Sequence, residues 1–158
     1  MENVFWVIPE LLAGRPGPTY AEWSLTELHA HGFKAVLNLS ELEPNGSDFE
    51  AVGMTCEWMP IPNTYPAVDE AEAACLEVLP RAGAFIAAHV EAAQGVLVHC
   101  AWGRDRTGIV LAYYLAAYQG MSADAAIAEV KRVRPKALSA TGWEAMTNRV
   151  MARLLKQP

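Results

Sequence analysis

Residues 95–118, GVLVHCAWGRDRTGIVLAYYLAAY, form the most informative segment of this sequence. It opens with a short apolar run that predicts a buried strand ending at His99. From Thr107 onward it is almost entirely apolar, which predicts a core helix over residues 107–118. Residues 99–108 are therefore predicted to form a glycine-bearing turn. This turn leads from the carboxyl end of a strand into the amino end of a helix.

The rest of the chain alternates short β-type runs with amphipathic segments. Strands are predicted over residues 4–13 (a pair around Pro9), 35–39 and 54–61, with turns at 14–18 and 44–47. Helices are predicted over residues 19–32, 69–92, 122–133 and 141–155, the first and last opened by Thr19-x-x-Glu22 and Thr141-x-x-Glu144 capping boxes. This alternation implies an α/β fold, with a mostly parallel central sheet of four or five strands flanked by helices on both faces.

Length and composition set the class of protein. The 158 residues fit one domain, residues 1–158, and the net charge of -6 disfavours a nucleic-acid partner, which needs a basic surface. The chain start lacks a basic segment followed by an apolar one, and the apolar run over 109–118 is too short to cross a bilayer. We therefore expect a cytoplasmic monomer with no stable membrane association. Three cysteines without CxxC spacing favour reduced thiols over disulfides or zinc, and we expect no metal and no cofactor.

The predicted turn has the chemistry of an anion cradle. A strand-to-helix turn points several backbone N–H groups at one spot and adds the positive end of the helix dipole. Such a field favours the thiolate form of a cysteine, which makes Cys100 a candidate nucleophile. Arg106 can bind two oxygens of a phosphoryl group with its planar guanidinium, a geometry that lysine cannot reproduce.

The other residues of the turn are candidates for supporting roles. Gly103 lets the backbone approach a phosphate closely, Thr107 can donate to the cysteine sulfur when it leaves, and His99 can hold the turn by hydrogen bonds. Alone, a cysteine or histidine after an apolar run is more typical of a buried core residue. Together the residues favour the functional interpretation. The predicted substrate-binding set is Ala101, Trp102, Gly103, Arg104, Asp105 and Arg106.

Residues 99–107 resemble the His-Cys-X5-Arg-(Ser/Thr) signature of the protein tyrosine phosphatases. The chain looks most like the small atypical dual-specificity phosphatases of the VHZ type, and the likeness extends to FWVIP and LAG near the start, Ile61-Pro62, and AIAE with RVRP near the end. The resemblance implies a cysteine-dependent phosphatase fold and metal-independent hydrolysis through a phosphocysteine. Its partners would be phosphorylated proteins, with phosphotyrosine and also phosphoserine or phosphothreonine, or small phosphomonoesters.

The general acid is where the sequence departs from this family. VHZ-type sequences carry an aspartate after Ile-Pro, but this chain has Asn63, which cannot donate a proton at useful cost. Asp69 is one replacement, although an aspartate at a helix start is more typical of an N-cap. Asp105 is the favoured replacement, because a neighbouring phosphate dianion would help it to keep its proton. An ion pair with Arg104 or Arg106 that only shapes the turn is the alternative for Asp105.

The substrate is less constrained. A phenol leaves with a pKa of about 10 and an alkoxide nearer about 16, so a poorly placed acid penalises alkyl phosphates more. This favours phosphotyrosine. Two alternatives stay open: a phosphatase of phosphoinositides or inositol phosphates, suggested by Asp105-Arg106-Thr107, and a catalytically weak phospho-binding module, suggested by Asn63.

Several other residues are weaker candidates. A basic cluster near the chain end could receive a multiply phosphorylated substrate, but a solvated helix end that complements its own dipole is the more frequent role. Trp102 is interpreted as a packing residue. Two further cysteines are interpreted as core thiols, which could trap an oxidised Cys100 as a disulfide only if they lie close to it. Two hydroxyl residues are interpreted as helix caps. The basic cluster is Lys131, Arg132, Arg134 and Lys136; the thiols are Cys56 and Cys75; the hydroxyl residues are Ser139 and Thr141.

Overall fold

The structure is a computed structural model that describes residues 1–64 and 66–155. Its strands are β1 (Phe5–Ile8), β2 (Leu12–Arg15), β3 (Phe33–Asn38), β4 (Thr55–Trp58) and β5 (Gly95–His99). Its helices are α1 (Leu25–Ala30), α2 (Gly46–Ala51), α3 (Asp69–Glu91), α4 (Asp105–Tyr118), α5 (Ala123–Val133) and α6 (Trp143–Leu154).

The five strands form one sheet in the order β1-β2-β5-β3-β4. Only β1 runs antiparallel to its neighbour, and β2, β5, β3 and β4 are mutually parallel. The predicted α/β class and the mostly parallel sheet are confirmed, with five strands. Because parallel strands end at the same edge, the residues that follow these four strands converge on one side of the molecule.

Helices cover both faces of the sheet, as predicted. The middle residues of the central strands alternate between two apolar cores: Val96 and Val98 face the larger one, while Leu97 faces the smaller one. This is the period of two that a strand requires when both faces are buried. The larger core holds side chains of α3, α4, α5 and α6, and the smaller one holds Leu28 of α1 and Phe49 of α2.

The amino-terminal half differs from the prediction in two helices. The capping box at Thr19 is wrong: α1 begins after Ser24, whose side chain accepts a hydrogen bond from the Glu27 N–H. The loop predicted at 44–47 instead leads into α2, capped by Asn45 through the Ser47 N–H. The first predicted turn also begins too early, since residues 14 and 15 belong to β2.

Helix α3 differs from the prediction at its first residue. Val68 is the N-cap and Asp69 is already helical, without a side-chain capping bond, so the N-cap assigned to Asp69 is wrong. Pro80 lies inside α3 and does not end it. By length and hydropathy α3 could span a membrane, which makes it a longer apolar segment than the run predicted at 109–118. The core helix of a soluble protein passes the same test, and eight residues of α3 are buried. The length and hydropathy of α3 are therefore weak evidence for a membrane span.

The capping box at Thr141 is also wrong. The N-cap of α6 is Gly142, which has the left-handed φ of +84° and no side-chain capping bond. Ser139 does not cap either, because its hydroxyl donates to the Lys136 carbonyl at 2.6 Å. In contrast, α5 has a side-chain cap at its amino end, because the Ser122 hydroxyl accepts a hydrogen bond from the Ala125 N–H at 3.1 Å.

Candidate active site

Cys100 lies at the carboxyl end of the central strand β5, at the edge where four parallel strands end. It is only 2% exposed and sits at the floor of a cavity of about 440 Å³, called here the cleft. Most of its lining comes from residues within the segments 17–25 and 38–49, and Arg106 lines it beside Cys100. A second, small cavity next to Cys100 is lined by Asp105, Trp102 and Asn63, among others.

The turn that carries Cys100, residues 99–106, is held by hydrogen bonds to its carbonyl groups. The Cys100 carbonyl accepts from His99 Nδ1 at 3.1 Å, and the Ala101 carbonyl accepts from the Gly17 N–H at 2.9 Å. The next two carbonyls, of residues 102 and 103, accept from Arg134, from its Nη2 at 2.8 Å and from its Nε at 3.2 Å. A trans peptide places its N–H opposite its carbonyl. The N–H groups of residues 101–104 therefore point away from these partners, as an anion cradle requires.

Two glycines allow the chain to pack around this turn. Gly103 has the left-handed φ of +67°, and a Cβ there would lie 2.7 Å from the Arg15 backbone. A Cβ on Gly17 would lie 2.5 Å from the Cys100 carbonyl oxygen. The sequence predicted Gly103 as a place for close approach of a phosphate. The structure adds that the protein's own backbone already requires a glycine there.

Cys100 is within reach of Thr107. The Thr107 hydroxyl donates to Cys100 Sγ at 3.1 Å, and Thr107 is fully buried in the first turn of α4. A hydroxyl donor and a helix amino terminus both favour negative charge on the sulfur. The predicted pairing of these two side chains is thus present in the structure.

Arg106 is buried, and the hydrogen bonds of its side chain to other described residues are long. Its Nη1 donates to the Ile61 carbonyl at 3.3 Å and lies 3.5 Å from Glu41 Oε1. The Arg106 side chain is 4% exposed, whereas that of Glu41 is 61% exposed. Bonds of this length are weak. The guanidinium can therefore exchange them for phosphate oxygens at small cost.

His99 holds the turn in its neutral form. Burial lowers its pKa from the usual 6.5 to about 4, and the positive charges of Arg15 and Arg106 act in the same direction. Its Nδ1 carries the proton that is donated to the Cys100 carbonyl. The edge of the Trp23 ring packs against the imidazole, with the ring centroids 5.0 Å apart. The predicted role of His99 in holding the turn agrees with this geometry.

Acidification is expected to destabilise the protein through His99. In the unfolded chain the imidazole has a pKa of about 6.5. The stabilisation that the neutral ring contributes to the folded state is therefore present above that pH, and it is lost as the pH falls towards 4. The loss amounts to about 3 kcal/mol. Urea unfolding of the wild type and of His99→Asn between pH 7 and 4 checks this. The wild-type free energy of unfolding should fall more steeply, and parallel curves would contradict it.

Asp105 is the first residue of α4 and is 6% exposed. Burial raises its pKa, while the Ala140 N–H, which donates to Oδ1 at 3.3 Å, and the charges of Arg104 and Arg106 oppose that shift. It lines the small cavity together with Cys100. A carboxyl group in this place holds its proton to a higher pH than an exposed one.

The sequence offered two other positions for the general acid, 63 and 69, and in the structure only the first of these two lies beside Cys100. Asn63 lines both cavities beside Cys100, and its N–H donates to Glu41 Oε1 at 2.8 Å. Asp69 lines neither of these cavities. It lies near Arg149 of α6, whose guanidinium pairs with Glu72 at 2.7 Å. The structure therefore does not bring Asp69 to the nucleophile.

An aromatic pair forms the rim of the site. Trp102 and Tyr20 stack with ring centroids 3.8 Å apart and are 40% and 53% exposed. The Arg104 guanidinium lies 5.5 Å from the Trp102 ring centre. Trp102 does pack, as predicted, but on an exposed partner rather than in the core. Tyr20 lines the cleft and Trp102 lines the small cavity, and the two cavities share Asn63, Cys100 and Arg106.

Three members of the basic cluster are engaged within the protein. Lys131 pairs with Glu144, Arg132 donates to Glu129 at 2.9 Å, and Arg134 bonds to the Cys100 turn. Lys131 and Arg132 lie in the last turn of α5, where positive charge complements the helix dipole. This agrees with the helix-end role favoured from the sequence.

The other two cysteines lie in apolar surroundings. Burial raises the pKa of Cys56 to about 11 and that of Cys75 to about 12. Their thiols therefore stay protonated near neutral pH, which makes them poor nucleophiles. Cys75 belongs to the larger core, as predicted, and Cys56 is half-buried against the smaller one.

Three residues of the site were not predicted from the sequence: Glu41, Arg134 as a support of the turn, and Tyr20. A signal for Glu41 existed, because it follows the strand predicted at 35–39 closely, and parallel strands end at the same edge of a sheet. The contacts of Arg134 had no such signal. It lies 31 and 32 residues from the carbonyls that it binds.

Comparison with known proteins gives a consistent result. The family model of the dual specificity phosphatase catalytic domain matches residues 19–147. Tk-PTP, solved in its active form, is 27% identical and superposes with a TM-score of 0.76, covering 97% of this chain and 96% of that one. Human DUSP28, at 23% identity, shares the fold with a TM-score of 0.77 and coverage of 99% and 97%. This chain belongs to the dual specificity phosphatase family and is a cysteine-based phosphatase.

Proposed function

We propose that the protein hydrolyses phosphomonoesters, phosphotyrosine above all, through a covalent phosphocysteine at Cys100. The contact of 3.1 Å between Thr107 Oγ1 and Cys100 Sγ carries this proposal. It places a donor on the sulfur at the positive end of α4, where a thiolate is favoured. The bonding of the turn carbonyls to outside partners supports the proposal, because it aims backbone N–H groups to the opposite side.

In the first step the Cys100 thiolate attacks phosphorus, and the bond from phosphorus to the leaving oxygen breaks. Arg106 exchanges its long contacts with Ile61 and Glu41 for two phosphate oxygens, on which it takes up charge in the transition state. The leaving oxygen receives a proton from Asp105. The products of this step are an alcohol or phenol and the phosphocysteine.

In the second step water attacks the phosphocysteine and passes a proton to the Asp105 carboxylate. The sulfur–phosphorus bond breaks, and the sulfur leaves as a thiolate. This thiolate is stabilised by the hydrogen bond that the Thr107 hydroxyl donates to it. Inorganic phosphate is released and the enzyme returns to its starting state. One ester and one water give one alcohol or phenol and one phosphate.

The assignment of the proton to Asp105 rests on its position and its burial. Asp105 lines the small cavity with Cys100, and burial raises its pKa, so a proton is available closer to neutral pH. Glu41 is the competing carboxyl group. It lies near Arg106, but its side chain is largely exposed. No carboxyl group stands at position 63, where the resemblance placed one.

Replacing Asp105 by asparagine should make the rate depend more steeply on the leaving group. Without the acid, the leaving oxygen departs with its full charge, which costs more as the pKa of the alcohol or phenol rises. We expect a loss of about 10- to 100-fold for phenyl phosphate and a much smaller loss for para-nitrophenyl phosphate. The measurement is kcat/KM for a series of substituted phenyl phosphates.

Glu41→Gln is the matched comparison for that experiment, because it removes the other carboxyl group of the site. Its leaving-group dependence should follow that of the wild type. If Glu41→Gln steepens the dependence and Asp105→Asn does not, the proton donor is Glu41. If both variants behave like the wild type, neither carboxyl group is the acid.

The walls of the cleft favour aryl phosphates. Tyr20, Trp23 and Phe49 line it, so a phenyl ring attached to a phosphate at Cys100 would meet aromatic surface. Phenols are also the better leaving groups for an enzyme that lacks an acid at position 63. The pairing of the basic cluster within the protein gives no support to a polyphosphorylated substrate. Phosphotyrosine therefore fits the site better than inositol phosphates.

A further inference from the structure

The cleft beside Cys100 has an unusual charge for a site that binds a phosphate. Three carboxylates line it, those of Glu41, Glu43 and Asp48, while Arg106 on the floor is the cationic side chain of the lining. Glu41 is held by the Asn63 N–H and lies near Arg106. In the described part of the chain, no cation pairs with Glu43 or Asp48. These two carboxylates thus face the cleft without a counter-charge.

The charges around the cleft are asymmetric. The cleft lining does not include the basic residues near the chain end, three of which are bonded within the protein: Lys131 to Glu144, Arg132 to Glu129, and Arg134 to the Cys100 turn. A second phosphate group that entered the cleft would be repelled by the like charges of Glu43 and Asp48. A cationic group on the same substrate would meet opposite charges there.

We propose that this cleft selects phosphotyrosine segments with arginine or lysine next to the phosphotyrosine. This inference rests on the phosphotyrosine activity proposed above and specifies its substrate class. The phosphate binds the turn and Arg106, the phenyl ring meets Tyr20 and Trp23, and a flanking cation reaches the carboxylates of Glu43 and Asp48. The same charges reject acidic flanks and polyphosphorylated inositols.

The preference should be moderate and sensitive to salt. Exposed ion pairs are individually weak, and each contributes about two- to fivefold. Two pairs together predict about a tenfold difference in kcat/KM between a basic and an acidic peptide at low salt. Most of that difference should disappear at about 0.5 M salt, because the carboxylates are exposed and screened.

Three peptides test the proposal, with the same central phosphotyrosine and with arginine, alanine or glutamate on both sides of it. The wild type should hydrolyse them in the order arginine, alanine, glutamate. In the double variant Glu43→Lys with Asp48→Lys the order should be inverted. In Glu43→Gln with Asp48→Asn it should be flattened. The quantity compared is the ratio of kcat/KM values within each protein, so a change in overall activity does not affect it.

A matched control separates the cleft from net charge. Glu50→Lys with Glu91→Lys changes the net charge equally, and Glu50 lies on the same short helix as Asp48 but does not line the cleft. This control should keep the wild-type order. Equal rates for the three peptides would overturn the charge preference and leave the phosphotyrosine activity standing. Hydrolysis of inositol hexakisphosphate with no hydrolysis of any peptide would overturn both.

Discussion

Cys100→Ser is expected to lower turnover by about 10⁴-fold or more, because a serine hydroxyl at this position stays neutral and is a far weaker nucleophile than a thiolate. The helix start and the backbone N–H groups that favour a thiolate cannot supply the same nucleophile from an alcohol. The cradle itself should persist, since serine has nearly the shape of cysteine. The variant should therefore still bind phosphate or vanadate while turning over no ester.

The measurement is para-nitrophenyl phosphate hydrolysis in the presence of a chelator, combined with acid quenching of a ³²P-labelled substrate. The wild type should yield an acid-stable phosphoprotein, and Cys100→Ser should yield none. Cys56→Ser is the matched control, because Cys56 is half-buried in β4 outside both cavities, and it should keep wild-type activity. Activity of the wild type only with added metal would contradict the mechanism.

Arg106→Lys should produce the second largest loss, about 10²- to 10⁴-fold in kcat. Lysine keeps the positive charge but cannot bind two phosphate oxygens with one planar group. It also loses the geometry by which Arg106 reaches the Ile61 carbonyl and Glu41 from a buried position. The loss should fall mainly on kcat, because the guanidinium takes up charge that develops in the transition state.

The control for this substitution is Arg81→Lys. Arg81 pairs with Glu77 on the exposed side of α3, so the same chemical change there should leave kcat and KM unaltered. Steady-state kinetics with para-nitrophenyl phosphate checks both variants. Loss in Arg106→Lys that appears only in KM would mean that the guanidinium binds the ground state and the transition state equally.

The sequence predicted the strand-turn-helix unit well because its signals are local. A short apolar run, a turn with Gly103 and a long apolar helix each occupy consecutive residues. The helix starts were predicted less well. Thr19 offers a good local cap, but the segment from Gly17 to Ala21 folds into a turn whose first N–H donates to the Ala101 carbonyl. That distant contact competes with the helix, and α1 begins only after Ser24.

The residues of the candidate site show the same difference between local and distant signals. Cys100, Arg106, Thr107 and His99 could be predicted, since they lie in one continuous motif. Glu41 reaches Arg106 across 65 residues of chain, and only the order of strands in the sheet brings them together. The position of Asp69 follows equally from tertiary packing. Asp69 follows Asn63 closely in the sequence, but α3 places it near Arg149 of α6 and away from Cys100.

The bonding of the turn carbonyls has a consequence for transplanting the site. Residues 99–108 contain the nucleophile and the phosphate ligand, but Gly17 and Arg134, at opposite ends of the chain, orient the peptide planes between them. Their dipoles are thus set before any substrate arrives, which removes the cost of reorientation during the reaction. A graft of the ten-residue motif alone onto another strand-helix junction would carry the reactive groups without that alignment. The smallest portable unit of this enzyme is the motif together with these two outside supports.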